Sequence, residues 1–225
     1  MIEDLKILMV DDHPMIIEGY QNTLLATKRE NQNLKIDIAH DCDKAFELIK
    51  KASITQESAY DVCFFDISLP TSKDGLITSG EDLARLTRQY LQDTKVIILT
   101  MFNESFRILN IIKEINPEGL LIKSDLTSSE LAEAFQHILV DPPYYSGTVN
   151  NFLKTTVSND IYLDDVNRKI LLLLSQGIKT KSLKEYIYLS MSAIEKRKKQ
   201  MKELFQVEDG KDETLLNEAR KKGFL

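Results

Sequence analysis

Four short apolar runs in this chain each stop at residues able to do chemistry. Lys6-Ile7-Leu8-Met9-Val10 stops at Asp11 and Asp12, and Tyr60-Asp61-Val62-Cys63-Phe64-Phe65 stops at Asp66. Val96-Ile97-Ile98-Leu99 stops at Thr100, and Leu120-Leu121-Ile122 stops at Lys123. One aspartate at a strand end is an ordinary loop residue. Three carboxylates, a hydroxyl and an ammonium at the ends of strands of one sheet would converge on one pocket. Clustered carboxylates raise one another's pKa unless a cation sits among them. All-oxygen ligation with room for water suits Mg²⁺. A metal-bound carboxylate can attack a phosphoryl group and form an aspartyl-phosphate. Lys123 and the Thr100 hydroxyl would then hold the phosphoryl oxygens as charge develops.

For those residues to meet, the runs must be parallel strands. Between them lie helical patterns. After Pro14, a residue suited to open a helix, Ile16, Ile17, Tyr20, Leu24 and Leu25 recur at helical spacing. Lys35-Ile36-Asp37-Ile38-Ala39 alternates like a further strand. Helices are predicted near 43–51, 80–91, 104–115 and 128–140, the last capped by Ser128 or Ser129. Five strands alternating with five helices predict an α/β doubly wound five-stranded parallel sheet over residues 1–140. In such sheets the site lies at the carboxyl ends of the strands. Residues 141–160, beginning Asp141-Pro142-Pro143, read as a linker with a short helix near 149–155. Beyond about 161 the patterns are only helical.

The chain has 225 residues, and at roughly 150 per domain that is one large or two small domains. With 43% hydrophobic and 28% charged residues, wholesale disorder is excluded. The longest apolar run, 170–174, falls far short of the ~18 residues of a membrane span. The first residues, Met1-Ile2-Glu3-Asp4, lack the basic and apolar regions of a secretory signal, so a cytoplasmic location without membrane partners is expected. Cys42 and Cys63 make neither a disulfide framework nor a zinc set and read as reduced interior residues. The net charge of −6 hides an asymmetry. Residues 1–165 hold 15 Lys+Arg against 27 Asp+Glu; residues 166–225 hold 14 against 8. The basic rear is a candidate for a polyanion.

In that rear module an apolar helix over 168–176 ends at Gly177, and a second short helix covers 182–188. Leu189-Ser190-Met191-Ser192 forms a turn with two possible N-caps, and a third helix covers 193–205. On the third helix Ala193, Ile194, Met201, Leu204 and Phe205 make an apolar stripe. Lys196, Arg197, Lys198, Lys199 and Lys202 stand against Glu195 and Glu203. A solvated basic face is one reading. The other is a small all-α helix-turn-helix domain whose last helix enters the major groove.

The front module resembles the receiver domain of two-component response regulators, a flavodoxin-like fold. The motifs are Met9-Val10-Asp11-Asp12-His13-Pro14, Phe64-Phe65-Asp66-Ile67-Ser68-Leu69-Pro70, Ile98-Leu99-Thr100-Met101 and Leu121-Ile122-Lys123-Ser124-Asp125. The resemblance implies Asp66 as phosphoacceptor, with Asp11 and Asp12 as the Mg²⁺ acid pair. It also implies the Ile67 carbonyl as a further metal ligand, Thr100 as the switch hydroxyl and Lys123 as the phosphate contact. Three features depart from the family. Leu120 stands at the switch position where an aromatic is usual. Met101 stands where a small residue is frequent. About six extra residues lie between Pro70 and Gly80, a surface loop or a kinase-selectivity element.

Residues 161–225 resemble the LuxR-type helix-turn-helix domain, through Leu173-Leu174-Ser175-Gln176-Gly177, Lys181, Leu183, Ile187-Tyr188-Leu189-Ser190, Ile194 and Val207. In that register Glu195, Lys196 and Lys199 would face bases, with Arg197, Lys198 and Lys202 in the same basic set. Glutamate can accept from cytosine N4; a capping box from Ser192 to Glu195 is the competing role. Together the two resemblances imply a response regulator of the NarL/FixJ type. Such a protein is a phosphorylation-dependent DNA-binding transcriptional regulator. It takes phosphate from a sensor histidine kinase, acts on double-stranded DNA as a homodimer, and is not an enzyme. The alternatives are a constitutive DNA-binding regulator whose receiver serves dimerisation, and an aspartyl-phosphate phosphohydrolase.

Overall fold

The computed structural model describes residues 2–54, 59–101, 105–157, 163–222 and 224–225. The chain divides into two compact units, residues 1–103 with 110–149, and residues 104–109 with 150–225.

In the first unit β1 (Glu3–Val10), β2 (Gln32–Ala39), β3 (Val62–Asp66), β4 (Lys95–Thr100) and β5 (Gly119–Ile122) alternate with helices. These are α1 (Pro14–Thr27), α2 (Cys42–Ile54), α3 (Gly80–Tyr90), α4 (Ser105–Ile115) and α5 (Ser128–Val140). With a further short strand, β6 (Tyr144–Tyr145), the sheet order is β2-β1-β3-β4-β5-β6, and every pairing is parallel. Parallel sheets are covered on both faces, and the strands here are hydrophobic on both. Ile7, Met9, Phe64, Ile97, Leu99 and Leu121 pack into one buried cluster with Phe135 and Ile138 of α5. Leu8, Val10, Cys63, Phe65, Ile98 and Leu120 are as fully buried on the alternate face. Both cysteines are free and buried, as expected.

The sheet has six strands rather than the expected five. The sixth, β6 (Tyr144–Tyr145), lies beside β5 in the stretch read as linker. Composition hid it, because Pro142 and Pro143 signal a turn and a two-residue strand has no periodicity. Its backbone nevertheless docks: Tyr144 N–H donates to Glu118 O at 2.9 Å and Ser146 N–H to Leu120 O at 3.1 Å. The first unit therefore continues to Val149, into the start of α6 (Gly147–Val157). The rest of the expected linker, 158–160, lies outside the described residues.

The second unit contains α7 (Asp165–Ser175), α8 (Met191–Leu204) and α9 (Asp212–Lys221). Asp164 caps α7 by accepting from Asn167 N–H at 2.8 Å, and Gly177 (φ 82) ends it in the left-handed conformation that glycine adopts without steric cost. The second helix, expected at 182–188, is a 3-10 helix over Thr180–Glu185. A segment that short favours i→i+3 closure, here Ser182 N–H to Lys179 O at 2.8 Å. Ile170, Leu171, Leu183, Ile194, Met201, Phe205, Leu215 and Phe224 form the buried core. No helix among the described residues is long and apolar enough to cross a membrane.

Candidate functional site

Register brings the strand-end residues of the first unit together. Val10 pairs with Phe65, so Asp11 and Asp66 follow at the ends of adjacent strands. Asp66 pairs with Leu99 and Thr100 with Ile122, which sets Thr100 and Lys123 one step beyond. Asp11, Asp66 and Thr100 are buried. The Lys123 side chain, 7% exposed, reaches back over them, with Nζ 2.6 Å from Asp11 Oδ2 and 3.1 Å from Asp66 Oδ1. A lysine just past β5 thus bridges the carboxylate just past β1 and the one that ends β3.

Asp12 completes the acid set. His13 Nδ1 stands 2.7 Å from Asp12 Oδ1 and 3.2 Å from Asp11 Oδ1, and the His13 N–H donates to Asp11 Oδ1 at 2.9 Å. Among the described residues, Asp12 Oδ1 thus faces only the His13 ring, and Asp66 Oδ1 faces only the Lys123 ammonium. Three carboxylates against one ammonium still leave an excess of negative charge, which is costly to bury unless a further cation meets it. Burial raises the Asp66 carboxyl above its ordinary pKa; the Lys123 ammonium and the Ser68 N–H pull the other way without cancelling the rise, and Asp11 adds to it. The site's oxygen donors fit a hard divalent cation.

The Ile67 carbonyl, expected as a further metal ligand, accepts the Gly80 N–H at 3.2 Å at the start of α3, which uses one of its two lone pairs. That junction is tight: a Cβ on Gly80 would overlap the Asp66 carbonyl oxygen. Gly80→Ala is therefore expected to lower unfolding stability by about 1–3 kcal/mol, the usual cost of overpacking. Thermal unfolding of the full chain checks this.

The six extra residues form an ordered turn. Ser72 Oγ donates to Asp74 Oδ1 at 2.6 Å and accepts the Ile77 N–H at 3.0 Å, while the tip residue Leu76 is exposed. Tyr20, noted in the sequence only for its spacing, lies near the acid cluster. Its hydroxyl is pushed up to about 12 by burial and by the Asp11 and Asp66 charges. It lines a cavity of about 380 Å³ between α1 and the start of α5, together with Lys123, Met101 and Thr127.

In the second unit the basic set on α8 divides. Ser190, not Ser192, caps the helix by accepting the Ala193 N–H at 3.3 Å, so the Ser192–Glu195 capping box does not form. Lys198 does not face solvent. Its side chain is 6% exposed, with Nζ 2.7 Å from Asp212 Oδ2 and 2.8 Å from Thr180 Oγ1. Arg197 Nη1 bonds Asp164 Oδ2 at 2.7 Å and Asn167 Oδ1 at 3.0 Å. Lys202 Nζ bonds Gly210 O and Asp212 Oδ1, each at 2.6 Å. Glu195, Lys196 and Lys199 remain exposed. The signal was legible in the spacing: Ile194, Lys198, Met201 and Phe205 lie on one helical face, and the inward one cannot meet DNA. Leu204, expected in the apolar stripe, is 42% exposed instead.

Residues 7–136 match the family described as the response regulator receiver domain. The oxygen regulatory protein NreC of Staphylococcus carnosus is 23% identical over 206 residues, spanning 86% of this chain and 88% of the relative. A solved structure of two RcsB dimers bound to two parallel DNAs superposes with a TM-score of 0.62 at 20% identity, over 97% of this chain and 98% of that one. RcsB from Salmonella enterica serovar Typhimurium, bound to a promoter in the presence of phosphomimetic BeF3−, gives 0.61 at 21%, over 96% and 98%. At these identities the solved structures establish a shared fold.

Proposed function

This chain belongs to the response regulator receiver family, and from that premise we propose that it is a phosphorylation-dependent, DNA-binding transcriptional regulator. Residues up to 149 act as the phosphoacceptor unit, and residues 150–225 as the DNA-binding unit. The observation that carries this reading is the bridge of Lys123 between Asp11 and Asp66 at the carboxyl ends of the parallel strands.

A carboxylate oxygen of Asp66 attacks the phosphorus of a phosphohistidine on a partner kinase. The P–N bond breaks, and the leaving imidazole keeps the electron pair and takes a proton. Lys123 and Thr100 hold the phosphoryl oxygens. Asp11, Asp12 and Asp66 would hold Mg²⁺, which when bound neutralises the clustered carboxylates and draws charge from the phosphoryl group. The Ile67 carbonyl, one lone pair of which accepts the Gly80 N–H, would be a further ligand.

Asp12 is the more direct metal residue. Both Asp11 oxygens are engaged, by Lys123 and by the His13 N–H, whereas Asp12 is partly exposed and, among the described residues, meets only the exposed His13 ring at 2.7 Å. Asp12→Asn is expected to weaken Mg²⁺ binding more than Asp11→Asn does. Calorimetric titration decides this, and equal or reversed effects would refute the order. Chelation should abolish labelling in either case, because unneutralised carboxylates repel an anionic donor.

RcsB has been solved on DNA as dimers, which supports DNA and a second copy of this chain as partners. Lys196 and Lys199, exposed on α8, are the proposed DNA contacts, with Glu195 beside them. A phosphoryl group adds about −1.5 to −2 charges, and screening confines its field to about a Debye length of 8–10 Å. It therefore acts by moving elements, not by repelling DNA. The test is duplex binding by the full chain with and without a small phosphoryl donor and Mg²⁺. Tighter binding with the donor, lost in Asp66→Ala, is expected. Equal affinity in both states would favour the second reading, a constitutive binder, for which the aliphatic Leu120 is the supporting observation.

A further inference from the structure

The chain that leaves the first unit is fastened to the turn that carries Lys123. Ser146 is fully buried, and its polar atoms are engaged from both sides. Its N–H donates to Leu120 O at 3.1 Å, its Oγ accepts the Ile122 N–H at 3.1 Å, and the same Oγ donates to Asp125 Oδ2 at 2.7 Å. Asp125 takes two more bonds, from Thr148 N–H to Oδ2 at 3.0 Å and from Thr148 Oγ1 to Oδ1 at 2.8 Å. Lys123 and Asp125 are the two ends of one 3-10 turn. One end of that turn grips Asp11 and Asp66, and the other grips the first turn of α6.

Two physical facts make this connection stiff. Hydrogen bonds to an ionised carboxylate are shorter and roughly twice as strong as neutral ones. A buried polar group released from its partner incurs a desolvation penalty. A displaced network member must therefore carry its partners along or pay that penalty. Phosphorylation of Asp66 gives Lys123 a new partner, a phosphoryl group of about −1.5 to −2 charge in place of a carboxylate. The 3-10 turn spans only Lys123–Asp125, too short to absorb the movement of its first residue. Leu120 offers no polar side-chain atom to re-pair; its part in the network is the carbonyl that Ser146 holds.

We propose that Asp125 is a positioning residue that couples the state of Lys123 to the start of α6 through Ser146 and Thr148. The coupling rests on the reading of Asp66 as phosphoacceptor, and it gives residues 144–148 a role other than spacing. It also supplies a route for the signal that does not pass through an aromatic residue at position 120.

Backbone amide exchange over residues 144–150 tests this without DNA. The full chain is compared with and without a small phosphoryl donor and Mg²⁺, with Asp66 occupancy read by intact mass in the same samples. A several-fold change in exchange is expected in the wild type on phosphorylation. At matched occupancy the change should largely vanish in Asp125→Asn and shrink in Thr148→Val, which removes one hydroxyl and keeps the side-chain shape. Fully labelled wild type with no change at these residues would overturn the coupling. So would a wild-type-sized change in Asp125→Asn alongside a lowered unfolding midpoint, since that is a purely structural carboxylate. Absence of any label on Asp66 would overturn the phosphoacceptor reading and this coupling with it. A coupling intact in exchange but silent in DNA affinity would overturn only the transcriptional reading.

Discussion

Asp66→Ala is expected to take up no phosphoryl group at all. Wild-type protein treated with a small donor and Mg²⁺ should gain about 80 Da, the mass of one phosphoryl group; the variant should gain nothing. An undiminished adduct on the variant would place the acceptor elsewhere. Lys123→Ala should slow labelling by roughly 10²-fold, the cost of removing one donor from a site of developing charge. Stability separates lost chemistry from lost fold, because the two variants should shift it in opposite directions. Asp66 is a buried carboxylate whose pKa burial raises, so replacing it with Ala or Asn relieves a repulsion with Asp11. Lys123→Ala leaves Asp11 and Asp66 buried without the ammonium that joins them. The first variant should unfold no earlier than the wild type, and the second should unfold earlier. A Lys123 variant that labels at the wild-type rate would remove the lysine from the mechanism.

Lys198→Ala is the second large effect, and it falls on folding rather than on DNA. Nζ lies inside the second unit, bonded to Thr180 of the 3-10 helix and Asp212 of α9. Breaking a fully buried pair costs about 3–5 kcal/mol. Asp212 keeps 36% of its side chain exposed, so roughly 2–4 kcal/mol is the expected loss. Lys198→Met, which keeps the stem volume, should lose less, and Lys199→Ala should stay within about 0.5 kcal/mol, as surface changes do. Denaturant unfolding of the full chain followed by a second-unit probe gives these differences. The pair also has a pH signature. Burial opposes the charged form of Asp212, but the bonds from Lys198 and Lys202 outweigh it and hold the carboxyl below its ordinary pKa. Its stabilisation is thus present above the ordinary aspartate pKa and is lost as pH falls through the lowered value. Lys198→Ala should lose much of that acid dependence along with the stability. Equal stability of wild type and Lys198→Ala would mean that Nζ is not held as the geometry requires.

Much of the site was legible because strand ends are legible. An apolar run that stops at Asp66 or Lys123 announces both the strand and the residue at its carboxyl end. Parallel topology then leaves one place where such ends meet. The second unit was legible to the level of its helices and less so at their faces. A net charge counted along α8 treats Lys196 and Lys198 alike, although they sit about 200° apart around a helix of 3.6 residues per turn. The bond from Gly80 to the Ile67 carbonyl was not legible, because backbone direction at a strand end depends on the next element, here α3.

The order of the five long strands, the identity of the acid cluster and the presence of a basic helical rear module were determined by the sequence itself. They follow from periodicity and from which residues end apolar runs, and both are local properties of the chain. Tertiary structure alone decided three things. Lys198 pairs with Asp212 and the partly exposed Arg197 with Asp164, because those acceptors come from distant segments. Asp11 rather than Asp12 is tied to Lys123, because that lysine arrives from the end of a distant strand. Residues 144–149 join the sheet and Asp125 instead of forming a spacer, because the bonds that hold them come from Leu120, Ile122 and Asp125, more than twenty residues upstream. Each of these rests on a pairing between positions far apart in the chain, and no local pattern of residue types encodes which distant partner a buried polar group will find.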